Sequence, residues 1–234
     1  MFFQGKIWRR NSQKMITNLN SVPGISQSGI IVALSGGLDS VFLLLSLSQL
    51  QKKYHWRLFP TYVNHHYLNE DDFYGKIATL LAQKLNLPCS LLSARSCPPK
   101  TNLEDWMRRE RYRLLEIERK KQKANFIAVA HHQSDQAETV LAHIIRGSGL
   151  HGLQGMSLLH RKIIRPLLDC PKEEITLLMH STNFPYYNDK LNYCLNYQRN
   201  RLRQKLIPYL EKNFNPQITK KLAKLAKITR LTNI

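Results

Sequence analysis

The six residues Ser35, Gly36, Gly37, Leu38, Asp39 and Ser40 (SGGLDS) combine a mobile backbone, two hydroxyls and one carboxylate. Glycines let a chain approach phosphates closely and take up positive φ. A helix starting at this point turns free N–H groups and a positive dipole end towards the same anion. Ser35 and Ser40 can donate further hydrogen bonds to phosphate oxygens. Asp39 would repel phosphates unless a cation intervenes, and Mg²⁺ held between Asp39 and pyrophosphate oxygens resolves the conflict. No Gly-Lys-Ser/Thr follows, so the loop is not a Walker A motif, and it is not a dinucleotide G-x-G-x-x-G either. The plainer reading is a helix N-terminus with a serine cap and an acidic first turn.

A second group of reactive side chains lies in residues 130–139 (AHHQSDQAET). Asp135 and Glu138 are two carboxylates on the helix expected after the fourth strand, suited to general acid–base chemistry. The competing reading makes Asp135-x-x-Glu138 a helix-capping box, and the two roles are compatible. His131 and His132 can meet a nucleotide or transition state. Adjacent histidines on a strand face opposite sides, so a shared zinc ion is not expected. Further on, Glu104, Arg108 and Arg111 fall close together at helical spacing. Arginine suits bidentate phosphate contacts, whereas a Glu104–Arg108 surface pair is the bland alternative.

These residues need elements to hold them. Apolar runs at residues 30–34, 58–63, 88–93, 126–130 and 162–167 read as five strands. Helical patterns fill residues 39–51, 69–85, 103–121 and 135–146 between them. In residues 69–85 the helical spacing picks out Phe73, Ile77, Leu80 and Leu81; in 103–121 it picks out Met107, Leu114 and Ile117. Strands alternating with helices imply a doubly wound α/β fold, a parallel sheet with helices on both faces. Continuous apolar strands agree with burial on both sides. Residues 146–156 (RGSGLHGLQGM) read as a helix stop at Gly147 followed by a glycine-rich loop, a flexible lid, a partner contact or plain turns.

After Pro171 the texture changes. Residues 195–234 carry ten Lys/Arg and one acidic residue, Glu211. Ile218, Leu222, Leu225 and Ile228 recur at helical intervals among lysines, the pattern of a basic amphipathic helix. The expected organisation is an N-terminal extension (1–28), a catalytic domain (29–190) and a basic helical segment (191–234).

Of 234 residues, 35 are Lys or Arg and 16 are Asp or Glu, a net charge of +19. Such an excess favours a polyanionic partner through counterion release, nucleic acid before an anionic membrane. The longest apolar run, residues 41–50, is broken by Ser46, Ser48 and Gln49, so no membrane span is expected. The N-terminal residues lack a secretory signal core. Cys89, Cys97, Cys170 and Cys194 contain no C-x-x-C pair, which fits reduced thiols in a cytoplasm or a plastid stroma.

A strand ending in SGGLDS resembles the PP-loop ATP pyrophosphatases. Residues 63–66 (VNHH), 130–139 and 146–156 are similar to the tRNA(Ile)-lysidine synthetase family within that group. So are Glu104 with Arg108, Arg111 and Tyr112, residues 165–168 (RPLL) and residues 199–203 (RNRLR), all in the family's order. Ser134, Asn64, Asn69 and Met107 depart from the family pattern. The resemblance implies a two-step reaction. ATP adenylates the C2 oxygen of the wobble cytidine in an isoleucine tRNA with a CAU anticodon, releasing pyrophosphate. Free L-lysine then attacks C2 and AMP leaves, which changes decoding from AUG to AUA. It further implies ATP and Mg²⁺ at Ser35–Ser40 with Asp39 as the metal ligand, and Asp39, Arg108, His131, Asp135 and Glu138 as catalytic groups. Lysine would sit on Asp135 and Glu138, and tRNA on Arg146, Arg199, Arg201 and Arg203. Base thiolation by another PP-loop enzyme and an inactive tRNA-binding relative are the alternatives. A monomer and a homodimer are both compatible with the sequence.

Overall fold

The computed structural model describes residues 2–67, 71–187 and 197–232. Asn69, Cys194 and the expected boundary at 190/191 lie outside the described residues. Five parallel strands form the sheet: β1 (Gly29–Ala33), β2 (Arg57–Asn64), β3 (Ser90–Ser93), β4 (Phe126–Ala128) and, beyond a two-residue strand β5 (Leu159–His160), β6 (Ile163–Ile164). Their order is β3-β2-β1-β4-β6-β5, and only β5 runs antiparallel, paired with β6. The expected five-strand sheet is thus corrected to six, because a tight hairpin at Arg161, whose φ is +55°, adds a short edge strand.

The chain winds from β1 out to β3, then returns to place β4 on the other side of β1. In such sheets the crevice opens beyond the carboxyl ends of the two strands at which the winding reverses. Alternation along β1 divides the core. Ile30 and Val32 join one cluster with helix α2 (Leu38–Tyr54), while Ile31 joins another with Leu115 of α4 (Leu103–Lys121). Helix α2 is buried without interruption from Ser40 to Leu47, as expected for an apolar helix packed on several sides.

The N-terminal stretch supplies a helix, α1 (Gly5–Asn20), whose Trp8, Met15 and Leu19 enter the main core. Its buried Asn11 donates 2.7 Å to Glu174 of α7 (Lys172–His180).

Three apolar stripes sit differently from expectation. In α3 (Asp71–Lys84) Tyr74, Ala78 and Leu81 face inward, whereas Phe73 and Leu80 are exposed. In α4 the buried positions are Glu110, Leu115 and Glu118, and Ile117 is exposed. Glu110 is tolerated there because Arg95 and Arg113 bracket it, which holds its carboxyl well below the usual range.

Helix α5 (Gln133–Ile145), followed by the one-turn helix α6 (Leu150–Leu153), carries a second, smaller core. Its Ala137, Val140 and Leu141 pack with Leu202, Ile207, Leu222 and Ala226. Leu202 belongs to a π-helical turn (Leu202–Leu206) that follows the short α8 (Gln198–Arg201). Ile207 opens α9 (Ile207–Asn213), and Leu222 and Ala226 lie on α10 (Ile218–Leu231). Leu225 and Ile228 of α10 are exposed, so its inward stripe is rotated from the one expected. None of the described helices is long and apolar enough to cross a membrane.

Candidate active site

SGGLDS leaves β1 and forms the first turn of α2, where Gly37 is the N-cap and contributes no side chain. The serines close the loop on itself. Ser35 N donates to Ser40 Oγ at 3.2 Å, and Ser40 Oγ donates to Gly37 O at 2.9 Å. Gly36 has φ +86°, and its carbonyl accepts from Tyr187 N at 3.1 Å. A Cβ at Gly36 would fall 2.4 Å from the Tyr187 ring, so only glycine permits this approach. Tyr187 in turn stacks on Tyr74 with centroids 3.5 Å apart.

Asp39 faces the crevice with its carboxylate partly exposed. Lys172 Nζ, from the first turn of α7, lies 2.5 Å from Asp39 Oδ1. Burial resists ionisation of Asp39, but His132 and Lys172 outweigh it and hold its pKa below the ordinary value. His132 is the N-cap residue of α5, with Nε2 3.7 Å from Asp39 Oδ2 and 3.4 Å from Asp135 Oδ2. Burial opposes its charge, yet the two carboxylates raise its pKa above the usual histidine value.

Asp135 and Glu138 come from β4's side of the crevice, one turn into α5. His132 N donates to Asp135 Oδ2 at 2.9 Å, so the cap is built from His132 and Asp135, not from Asp135 and Glu138. Ser134 lies within the helix and does not cap it. Glu138 is left to bind arginines, together with the second oxygen of Asp135. Arg199 Nη2 meets Asp135 Oδ1 at 2.6 Å and its Nε meets Glu138 Oε2 at 2.7 Å. Arg203 Nη2 shares Asp135 Oδ1 at 2.9 Å and its Nε reaches Glu138 Oε1 at 2.6 Å. Burial penalises Asp135, but His132 and the arginines drive its pKa far below the carboxylate range. Two of the four arginines expected to meet RNA are therefore neutralised here. Arg146 and Arg201 are exposed and border a cleft of about 670 Å³ that also reaches Glu104, Arg108 and Glu138.

Arg108 and Arg111 flank the Tyr112 ring, 5.1 and 5.8 Å from its centroid. Among the described residues neither is paired with a carboxylate, so the Glu104–Arg108 pair does not form. Burial, with Arg108 and Arg199 nearby, lowers the pKa of Arg111. Both arginines line a cavity of about 250 Å³ with Ser35, His65, Tyr187 and Arg199. This unneutralised pair beside the phosphate loop is suited to anionic oxygens. His65 is held neutral, its pKa pushed down to about 4 chiefly by burial and then by Arg111. His131 lies on the same side, its pKa pushed down to about 3 by burial and then by Arg199, Arg165 and Arg108 against the pull of Asp135.

The structure thus gathers Asp39, Arg108, His131, Asp135, Glu138 and Arg199 around one crevice. Sequence reasoning missed Lys172, Tyr187 and the bridging role of His132. Lys172 carried one faint signal, a cation in a helix's first turn directly after Pro171, where the helix dipole disfavours it.

The PP-loop domain family matches residues 7–210 of this chain. A tRNA(Ile)-lysidine synthase from Thermosynechococcus vestitus is 37% identical over 86% of this chain and 59% of its own length. That from Synechocystis sp. is 34% identical, covering 94% of this chain and 69% of the relative. A chloroplastic tRNA(Ile)-lysidine synthase from Pyropia yezoensis is 31% identical, covering 98% and 70%. The chain thus spans 59–70% of these three relatives' own length and 43–49% of several other curated tRNA(Ile)-lysidine synthases it matches. Among solved structures, a U34-tRNA thiolase from Methanococcus maripaludis superposes with a TM-score of 0.79 at 18% identity, covering 96% of this chain and 80% of that one. At that identity the likeness speaks for the fold alone.

Proposed function

The chain belongs to the PP-loop domain family and, within it, to the tRNA(Ile)-lysidine synthase family, and from that premise we propose that it is an ATP-dependent ligase joining lysine to a tRNA base. The substrate is the wobble cytidine of an isoleucine tRNA with a CAU anticodon. The observation that carries this reading is the meeting of Asp39 with Asp135 across one crevice, bridged by His132, with Glu138 tied to Asp135 through Arg199 and Arg203.

In the first step the C2 oxygen of the cytidine attacks the α-phosphorus of ATP and pyrophosphate leaves. Backbone N–H groups at the start of α2 point at the phosphates, and Arg108 and Arg111 spread the developing charge. The residues fit Mg²⁺: one partly exposed carboxylate, Asp39, stands beside the loop and already holds a cation. Mg²⁺ needs only one or two protein carboxylates and completes its shell with phosphates and water. When bound it would neutralise the leaving pyrophosphate.

In the second step the side-chain amine of lysine attacks C2 and AMP departs. At a pKa near 10.4 only about one amine in a few thousand is neutral at pH 7, so the site must remove a proton. Asp135 and Glu138 bind the ammonium and help to strip it. All four of their oxygens are engaged by Arg199, Arg203 or the α5 cap, so lysine enters by displacing arginine nitrogens. Arg199 and Arg203 then become free for tRNA phosphates, beside Arg146 and Arg201. We assign catalysis to residues 29–190 and RNA contacts chiefly to residues 191–234. The compartment we propose is the cytoplasm, or the stroma for a plastid chain, as the chloroplastic relative supports.

Incubation with ATP, Mg²⁺, radiolabelled lysine and the CAU isoleucine tRNA tests the reading. Acid-precipitable label should appear with the wild type and vanish with Asp39→Ala. ATP cleavage with tRNA but without label would overturn the lysine assignment and favour another base modification.

A further inference from the structure

Arg165 takes no part in the reaction as described, yet it is 6% exposed at the end of β6. Its backbone N–H donates to Leu158 O at 2.9 Å and its Nη1 to Ser157 O at 2.7 Å. Its Nε donates to Nδ1 of His131, at 3.2 Å. A guanidinium carries donors only and stays protonated throughout the working range. Nδ1 of His131 must therefore be the acceptor, and the single ring proton must sit on Nε2. An imidazolium would set one N–H against another.

The surroundings agree. His131 faces Arg199 from α8, Arg108 from α4 and Arg165 itself, with Asp135 of α5 as the opposing charge. Arg165 is in turn held in place by two carbonyls of the segment that follows the glycine-rich loop. Nearby, Gln136 donates 3.0 Å to Met156 O and accepts 2.8 Å from Met156 N, and Arg230 donates to the Gln154 and Met156 carbonyls. The guanidinium has a fixed seat from which to orient the ring.

We propose that Arg165 is a positioning residue that locks His131 as the neutral tautomer with its proton on Nε2. The ring then offers the crevice a hydrogen-bond donor and has no basic nitrogen left to accept the lysine proton. Of the groups gathered at the crevice, that leaves the carboxylates of Asp135 and Glu138 to receive it, once lysine has displaced the arginine nitrogens from them. The inference rests on the proposed ligase reaction for its consequence, but not for the contact itself.

The test uses the full chain with ¹⁵N-labelled histidine, reading the imidazole nitrogens by NMR between pH 5 and 8. His131→Asn assigns the signals. The expected result is a His131 that stays in the Nε2–H form across that range. In Arg165→Met the ring should become a mixture of tautomers and begin to titrate, with kcat reduced about tenfold or more and KM for ATP changed less than about twofold, of the order a lost general-acid or donor group produces. Arg165→Lys, which keeps a donor, should restore the tautomer. A wild-type His131 found as Nδ1–H, or titrating near 6.5, overturns the proposal even if the Arg165→Met variant does not fold. An unchanged tautomer in a folded Arg165→Met protein also overturns it. Absence of lysine incorporation with the tautomer intact would instead sink the ligase reading and leave this one standing.

Discussion

Lys172 sets its ammonium 2.5 Å from Oδ1 of Asp39, although one opens α7 and the other lies in the first turn of α2. The pair balances the carboxylate beside the phosphate loop before any nucleotide arrives. Asp39→Asn keeps the shape and removes the charge. Both side chains are about a third exposed, so the loss in stability should stay below about 1 kcal/mol. Pyrophosphate release with tRNA should fall by about a hundredfold or more, the scale of losing one charge-stabilising group. Paired melting curves and pyrophosphate assays read both quantities. Retained turnover in the variant would remove Asp39 from the chemistry.

Asp135 Oδ1 accepts from both Arg199 and Arg203, so each arginine partly covers for the other. Single alanine variants should each cost about 1 kcal/mol, because one guanidinium remains and both are partly exposed. Removing both leaves two buried carboxylates without their main partners and should cost about 3 kcal/mol. Urea titrations of the four proteins give the coupling. Additive losses would mean that the arginines act independently, contrary to the shared oxygen.

Much of this was legible in the chain. The span of α4 follows from its charged, proline-free helical run, and β1 from five residues that read as a buried strand. The loop after β1 and the carboxylates after β4 converge because a doubly wound sheet reverses there, so their proximity follows from topology. Other parts had no local signature. Helix α1 hides its stripe, since Asn11 is buried with its amide nitrogen donating to Glu174 of a distant helix. The β5–β6 hairpin turns on Arg161 in a left-handed conformation, where asparagine or glycine is the usual signal. Glu110 sits inside α4 because arginines before and after it bracket it, and the buried face is rotated by about one residue from the one expected from apolar spacing. Lys172 and Tyr187 reach the loop from later segments, and no spacing within the chain reports such a meeting.

Stability should fall as pH drops from about 6.5 towards 4. The pKa of His131 is lowered to about 3 and that of His65 to about 4, so the folded protein refuses protons that the unfolded chain accepts near 6.5. Their destabilisation is absent above the unfolded value and grows as pH falls through the window. His132 acts oppositely, because its raised pKa contributes stability below the unfolded value that is lost as pH rises. Two groups against one predicts a net decline in melting temperature between pH 7 and pH 4.5. His131→Asn should flatten that slope. A flat wild-type profile, or an unchanged slope in the variant, contradicts the assignment.

Gly36 meets two constraints that can be separated. Its φ of +86° penalises any side chain, and the Tyr187 ring would lie 2.4 Å from a new Cβ. Gly36→Ala should therefore lose about 2 kcal/mol, and the loop must shift away from the ring or twist. Either movement misaligns the N–H groups at the start of α2, so KM for ATP should rise about tenfold, the cost of one poorly made charge-assisted hydrogen bond. Gly36→Ala combined with Tyr187→Ala removes the clash and leaves the backbone strain. The double variant should regain only part of the stability that Gly36→Ala loses, measured against Tyr187→Ala as its reference. Full recovery would place the whole cost in the ring contact, and no recovery would place it in the backbone angle.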